Sequence, residues 1–336
     1  MKGKRRHLVK WWILALLLLG ALWGALFIGR YLISPQEVLR ILFHGILGDA
    51  PTSTETAVVL ELRLPRVITA LLVGVGLSLT GTCFQGMFQN PLVSPDVLGV
   101  SAGSAMGAVL GILIWGMGNY AMLLSVCGGL LTVCLTYFLS KMSGQSTTIS
   151  LILAGMIMSS MMNALISLAK YTADPYSKLP AITYWLLGSF ANATYGTLKL
   201  ICIPMLAAIV VVILLRWRIN VLSMGDEEAA ALGVNPQKIR LVIILACTVL
   251  TACSVMATGI IGWVGLVIPH ISRMIVGADH KNLVPASAMI GGTFMIAVDV
   301  LARSMMEAEI PIGILTALIG APFFAVLFRR IGGNTR

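Results

Sequence analysis

Charge is what this sequence has least of. Only 11% of its 336 residues are charged, and 13 are acidic. A soluble domain carries roughly 25% charged residues. So small a supply cannot cover a water-soluble surface of this size. With 58% hydrophobic residues and a mean hydropathy of +0.95, the chain reads as an all-α polytopic membrane protein, not as soluble domains or a single anchor. Other absences narrow the chemistry. The only Gly-Lys is Gly3-Lys4, followed by Arg5, so no GxxxxGK[ST] loop is present to hold ATP. Paired intramembrane carboxylates, which would argue for a proton-driven carrier, are missing, and Asp299 alone is thin support for one. The six cysteines (Cys83, Cys127, Cys134, Cys202, Cys247, Cys253) form no CxxC pair and read as small buried hydrophobes. His7, His44, His270 and His280 are scattered without metal-ligand spacing. A nucleic-acid role needs a basic, aromatic-studded soluble face, and the sequence offers none.

What is present is a series of apolar runs. Stretches free of Asp, Glu, Lys and Arg cover 11–29, 67–95, 97–140, 142–169, 179–198, 200–215, 241–272, 282–298 and 310–328. A span takes about 20 residues. The run 97–140 therefore holds two spans, broken near Gly116-Met117-Gly118-Asn119. The run 241–272 holds one full span and a short one after Gly259. Ten spans are expected, at roughly 8–30, 64–87, 96–114, 120–141, 148–170, 196–216, 237–258, 260–274, 283–303 and 311–329. The first follows the basic start MKGKRRHLVK and, lacking a small-residue cleavage site before Arg30, reads as retained rather than as a signal peptide. Residues 175–192 carry Pro180, Gly188, Ser189 and Asn192, and are expected as a helix on the outer surface. With both termini inside, most of the 23 Lys and Arg residues fall on the cytoplasmic side. The whole chain, 1–336, is read as one transmembrane domain.

Four stretches and one repeat stand out within that frame. Asp226, Glu227 and Glu228 are consecutive acids in a cytoplasmic connection, 225–233. Gly225 or Asp226 can cap a short helix there, whose dipole favours acids in the first turn. Gly233 suits its left-handed end, and Asn235-Pro236 suits the cap and first residue of the next span. Such a helix, about 10 Å long, is either a mere connector or a peg for a partner's cleft. Arg63 and Arg66 lie outside, against the positive-inside bias, and flank Pro65 at an expected helix start. They either anchor the chain at the membrane or face an acidic partner. Arg303 is also outside, with Asp299 one turn earlier as an ion-pair candidate and Glu307 and Glu309 near enough to compete. The fifth span, LILAGMIMSSMMNALIS (151–167), is rich in methionine and free of charge, which fits either core packing or a soft, adaptable lining. Thr80-Gly81 precedes Pro91 as Thr258-Gly259 precedes Pro269, a faint sign of internal duplication.

Several stretches together resemble one family. RLPRVITALLVGVGLSLTGTCFQGMFQNPLVSPDVLGVSAGSAMGA (63–108) resembles the first half of FecCD-type permeases. GIIGWVGLVIPHISRMIVGADH (259–280) and DVLARSMMEAEIPIGILTALIGAPFFAVLFRR (299–330) resemble the second half, and ALGVN (231–235) the loop between. These are the membrane subunits of type II ABC importers for iron–siderophore complexes, haem and cobalamin. The resemblance implies a ten-span permease that pairs with a second copy of itself. Two separate ATPase subunits would sit below, carrying the ATP and Mg, with no cofactor in this chain. A substrate-binding protein would dock outside and deliver a metal chelate. It implies the cytoplasmic (inner) membrane of a prokaryote, with lipid around the spans. Gly225, Asp226, Glu227, Glu228, Ala231, Leu232 and Gly233 resemble the coupling helix that seats in the ATPase. Arg63, Arg66 and Arg303 resemble the outer residues that pair with carboxylates of the binding protein. The stretch 143–150 resembles the inner gate, which makes Ser146, Thr147 and Thr148, with Met156, Ser159, Ser160 and Asn163 beyond them, candidates for gate and path. The rival classes are a secondary transporter or channel that needs no ATPase, and an integral-membrane enzyme, for which no clustered catalytic set was found.

Overall fold

A computed structural model describes residues 2–48, 51–142 and 148–333. The chain is all-α, with no strand among the described residues. In chain order the helices are α1 (Lys2–Phe27), α2 (Pro35–Leu47), the single turn α3 (Thr54–Thr56), α4 (Leu64–Met87), α5 (Val100–Trp115), α6 (Asn119–Met142) and α7 (Thr148–Thr172). They continue with α8 (Lys178–Leu186), α9 (Tyr195–Leu222), α10 (Asp226–Ala231), α11 (Pro236–Thr258), α12 (Val264–Val276), α13 (His280–Ser304) and α14 (Ile312–Gly333). Seven helices are long and apolar enough to cross a membrane. Three shorter apolar helices, at Val100–Trp115, Val264–Val276 and Ile312–Leu327, stand where the third, eighth and tenth spans were expected.

Boundaries follow local chemistry. Pro95–Leu98 forms a 3-10 turn, and Gly99 at φ 79° starts α5 four residues later than the sequence suggested. Asn235 accepts from the Lys238 amide and Pro236 sits in the first turn of α11, as its sequence indicated. Only Lys178–Leu186 of the segment 175–192 is helical. The two Thr-Gly pairs sit in different settings: Gly81 lies inside α4, whereas Gly259, at φ 75°, ends α11.

α4 is the hub, with 83% of its membrane window buried against 11% for the first helix. Its glycines permit this. A Cβ on Gly81 would lie 1.7 Å from the Gly265 carbonyl oxygen, and one on Gly74 would lie 2.3 Å from that of Gly291. Small residues here are the price of backbone contact between α4 and both α12 and α13. The largest core cluster joins Phe84, Met87 and Leu79 of α4 to Met205 and Ile219 of α9 and Leu250 of α11. A second cluster packs Ala25 and Leu26 of α1 and Ile41 of α2 with Met295 and Ile296 of α13.

Backbone bonds tie the end of α8 to two distant helices. The Ile312 amide donates to the Gly188 carbonyl at 2.9 Å, and the Gly313 amide to that of Leu187 at 3.1 Å. The Ser189 amide donates to the Thr258 carbonyl at 2.7 Å. The first free N–H groups of α14 are thereby satisfied by the end of α8.

Candidate functional site

The acidic stretch folds as a peg between α9 and α11. Gly225, at φ 131°, caps it, and a Cβ there would meet the Glu228 carboxylate, which folds back over the helix start. Ala229 and Val234 root the peg in the core. Asp226 accepts from Nη2 of Arg240 at 2.8 Å, and this arginine is itself buried in α11. Glu227, Glu228, Ala231 and Leu232 are left exposed, and Gly233 closes the turn at φ 76°. The result is a rigid, negatively charged knob with an apolar tip at Leu232.

The three singled-out arginines meet at one end of the molecule, but each already has partners in the chain. Arg66 Nε donates to Asp299 Oδ1 at 2.8 Å, and its two Nη atoms take Glu309 in a forked pair at 2.8 and 3.0 Å. Arg303 lies 3.5 Å from the other Asp299 oxygen. Arg63 donates to the Leu26 carbonyl at 2.6 Å and to that of Tyr31, and Arg303 donates to that of Ala25. Two guanidinium groups therefore cover the carbonyl end of α1, where positive charge is favoured. The helix-start reading of Arg63 and Arg66 needs correction. A π-helical stretch, Ala57–Arg63, runs continuously from α3 into α4, so neither cation stands at a free N-terminus.

These groups border a cavity of about 330 Å³, lined also by Arg30, Tyr31, Ala191 and Ala193. Exposed Arg30, which sequence reading passed over, donates to the Met306 carbonyl at 2.7 Å. Four arginines against Asp299 and Glu309 leave the cavity net positive. Glu309 was legible only as a competitor for Arg303, yet it pairs with Arg66.

α7 presents an exposed stripe at helical spacing: Leu153, Met156, Ser160, Asn163 and Ser167. The N-terminal half of the stripe is apolar and its C-terminal half carries hydroxyl and amide groups. Ser159 is half-buried toward the Gly99 turn, and Thr148 opens the helix. Ser146 and Thr147 lie outside the described residues. One motif was missed in the sequence: Gly99-Val100-Ser101-Ala102-Gly103 spells G-x-S-x-G. It follows a 3-10 turn instead of a strand, and Ser101 donates to Asp96, so it lacks the setting of a nucleophile elbow.

At the opposite end of α13 from Arg303, Asp279 caps the helix and accepts from the Lys281 amide at 2.9 Å. The Asn220 amide group, and next the Lys281 N–H, hold its carboxyl below the ordinary aspartate range.

Comparison with known proteins places this geometry. A model of the FecCD transport family matches residues 15–330. The molybdate import system permease protein MolB of Haemophilus influenzae is 44% identical over 305 residues, covering 90% of each chain. The hemin transport system permease protein HmuU of Yersinia pestis is 35% identical, covering 87% of this chain and 89% of that one. A solved structure described as a metal-chelate type ABC transporter in an inward-facing conformation superposes with a TM-score of 0.85. It is 42% identical and covers 95% of this chain and 98% of its own. The chain belongs to the FecCD transport family, as the membrane-spanning permease subunit of an ABC importer and not as an enzyme.

Proposed function

We propose that two copies of this chain form the translocation path of an ATP-driven importer in a prokaryotic cytoplasmic membrane, with both termini on the cytoplasmic side. The acidic peg carries the reading. It is rooted by Ala229, pinned by Arg240 and exposed at Glu227, Glu228 and Leu232. A helix so braced transmits force, whereas a mere connector has no need of a buried arginine partner. Two ATPase subunits would hold ATP and Mg and grip this knob. Their closure would tilt the spans between outward and inward states.

The net-positive cavity at Arg30, Arg63, Arg66 and Arg303 is the docking end for an external binding protein with acidic lobes. The stripe Met156, Ser160 and Asn163 of α7 lines the path, with Thr148 at its inner mouth. The cargo is a metal chelate of the iron–siderophore, haem or cobalamin kind. A second reading, a molybdate-like oxyanion, is favoured by the 44% identity to the molybdate permease. Reconstitution tests the proposal. Vesicles carrying this chain, its ATPase and its binding protein should take up substrate only with ATP. Uptake by this chain alone, driven by an ion gradient, would make it a secondary transporter. Comparing haem, a ferric siderophore and molybdate as ligands of the binding protein decides the cargo.

A further inference from the structure

α2 has three faces where a surface helix of a soluble protein has two. It spans Pro35–Leu47, is capped by the Ser34 hydroxyl at the Glu37 amide, and ends at Gly48 with φ 80°. Thirteen residues make about 20 Å of helix, too short to cross a bilayer.

One face packs on the protein. Val38 and Ile41 are fully buried, and a Cβ on Gly45 would meet Leu60 at 3.1 Å. A second face is polar, Gln36, Glu37, Arg40 and His44, with Glu37 and Arg40 3.8 Å apart, and is interrupted only at its end by exposed Leu47. The third face is apolar and bare. Leu39, Phe43 and Ile46 recur at i, i+4 and i+7 and are 57%, 64% and 86% exposed. Leu32, just before the helix, is 84% exposed.

At 100° per residue the apolar stripe lies between the packed and the polar faces, pointing sideways. A helix in water at the rim of a bundle has no use for that third face. A helix lying at the edge of a bilayer needs all three: protein on one side, water on another and acyl chains on the third. The helix also follows closely on a candidate membrane span, Leu8–Phe27. α1, which leads into α2, exposes Leu8, Trp12, Leu16 and Leu19 along its length. The basic cavity at Arg30 and Arg63 places α2 at the same end of the bundle.

We infer that α2 is an interfacial helix, whose Leu39, Phe43 and Ile46 enter the lipid beside the arginine cavity and fix that cavity's height at the membrane surface. This goes beyond the importer reading and does not depend on it.

The test is depth-resolved quenching. The full chain is placed in phosphatidylcholine nanodiscs, plain or brominated on the upper acyl chain. Phe43→Trp and Arg40→Trp each add one fluorophore, read as the difference from the parent. At position 43 the added emission should be lost in brominated lipid and shielded from iodide. At position 40 it should be quenched by iodide and spared by bromine. Ile46→Trp repeats the reading on the same stripe if Phe43→Trp does not fold. The inference fails if positions 43 and 46 are quenched by iodide and untouched by brominated lipid. It fails equally if they become shielded only on adding a purified binding protein, which would give this face to that protein.

Discussion

Arg63 Nη1 donates to the Leu26 carbonyl at 2.6 Å, joining residues that are 37 positions apart. A charge expected to face outward is thus the cap of a helix end. Arg63→Ala should orphan at least one buried carbonyl, at about 1–3 kcal/mol. Its thermal midpoint in detergent should fall equally at low and high salt. Arg30→Ala, which removes an exposed side chain, should leave the midpoint close to the parent's. Scanning fluorimetry of the three proteins checks this.

Docking is better tested away from that cap. Glu309 neutralises Arg66 and its side chain is 34% exposed. Glu309→Gln should free positive charge and tighten binding-protein docking at low salt, while Arg30→Glu should weaken it. Both shifts should be a few-fold and shrink as salt rises. Affinity measured at two ionic strengths decides. Indifference to both substitutions would remove the cavity from docking.

Glu227→Lys with Glu228→Lys reverses the exposed charge of the peg without touching its root. ATPase co-purification and ATP-driven uptake should both be lost, while yield stays near the parent's and the thermal midpoint falls only by the small loss of the Glu228 fold-back at the helix start. Normal uptake in this variant would reduce the peg to a connector.

Gly81→Ala and Gly20→Ala make a matched pair. At Gly81 the new methyl meets the Gly265 backbone, which cannot yield. The chain should fail to assemble α4 against α12, read as loss of the monodisperse peak on size exclusion. At Gly20 nothing lies within 4 Å. There the substitution should be neutral or stabilising by up to about 1 kcal/mol.

Asp279 supplies a pH dependence. Its folded value lies below the ordinary one, because the Asn220 amide, then the Lys281 N–H, bind the charged form. The extra stability is complete above the ordinary aspartate value near 3.9 and disappears as pH falls through the lower folded value. Asp279→Asn keeps a cap and removes the charge. Its deficit in thermal midpoint against the parent should be constant from neutral pH down to about 5 and close on further acidification.

Much of the bundle was legible because apolar run length and charge breaks are dictated by the bilayer. The caps at Asn235 and Gly233 were legible because each is set by a single residue type. The partners of Arg63 and Arg66 were not. Arg63 binds carbonyls, which every residue has, and Arg66 finds its acids more than 230 positions away. The π-helical entry to α4 leaves no mark in Ala57–Arg63 either, since its bonds depend on what the flanking helix packs against. The stripe on α7 could be read from spacing; its role could not, because methionine and serine serve lipid, core and path alike.

The clamp where Ile312, Gly313 and Ser189 bond to Gly188, Leu187 and Thr258 is made wholly of main chain. The atoms are main chain, but the approach depends on two glycines: a Cβ on Gly313 would lie 2.6 Å from the Leu187 carbonyl oxygen, and one on Gly188, at φ 76°, 2.5 Å from that of Ile260. Alanine scanning will therefore register the clamp at Gly188 and Gly313 and pass over it at Ser189, Ile312 and Thr258. α8, α14 and the end of α11 are thereby joined through one junction, whose tolerance is set by the two positions that admit no side chain.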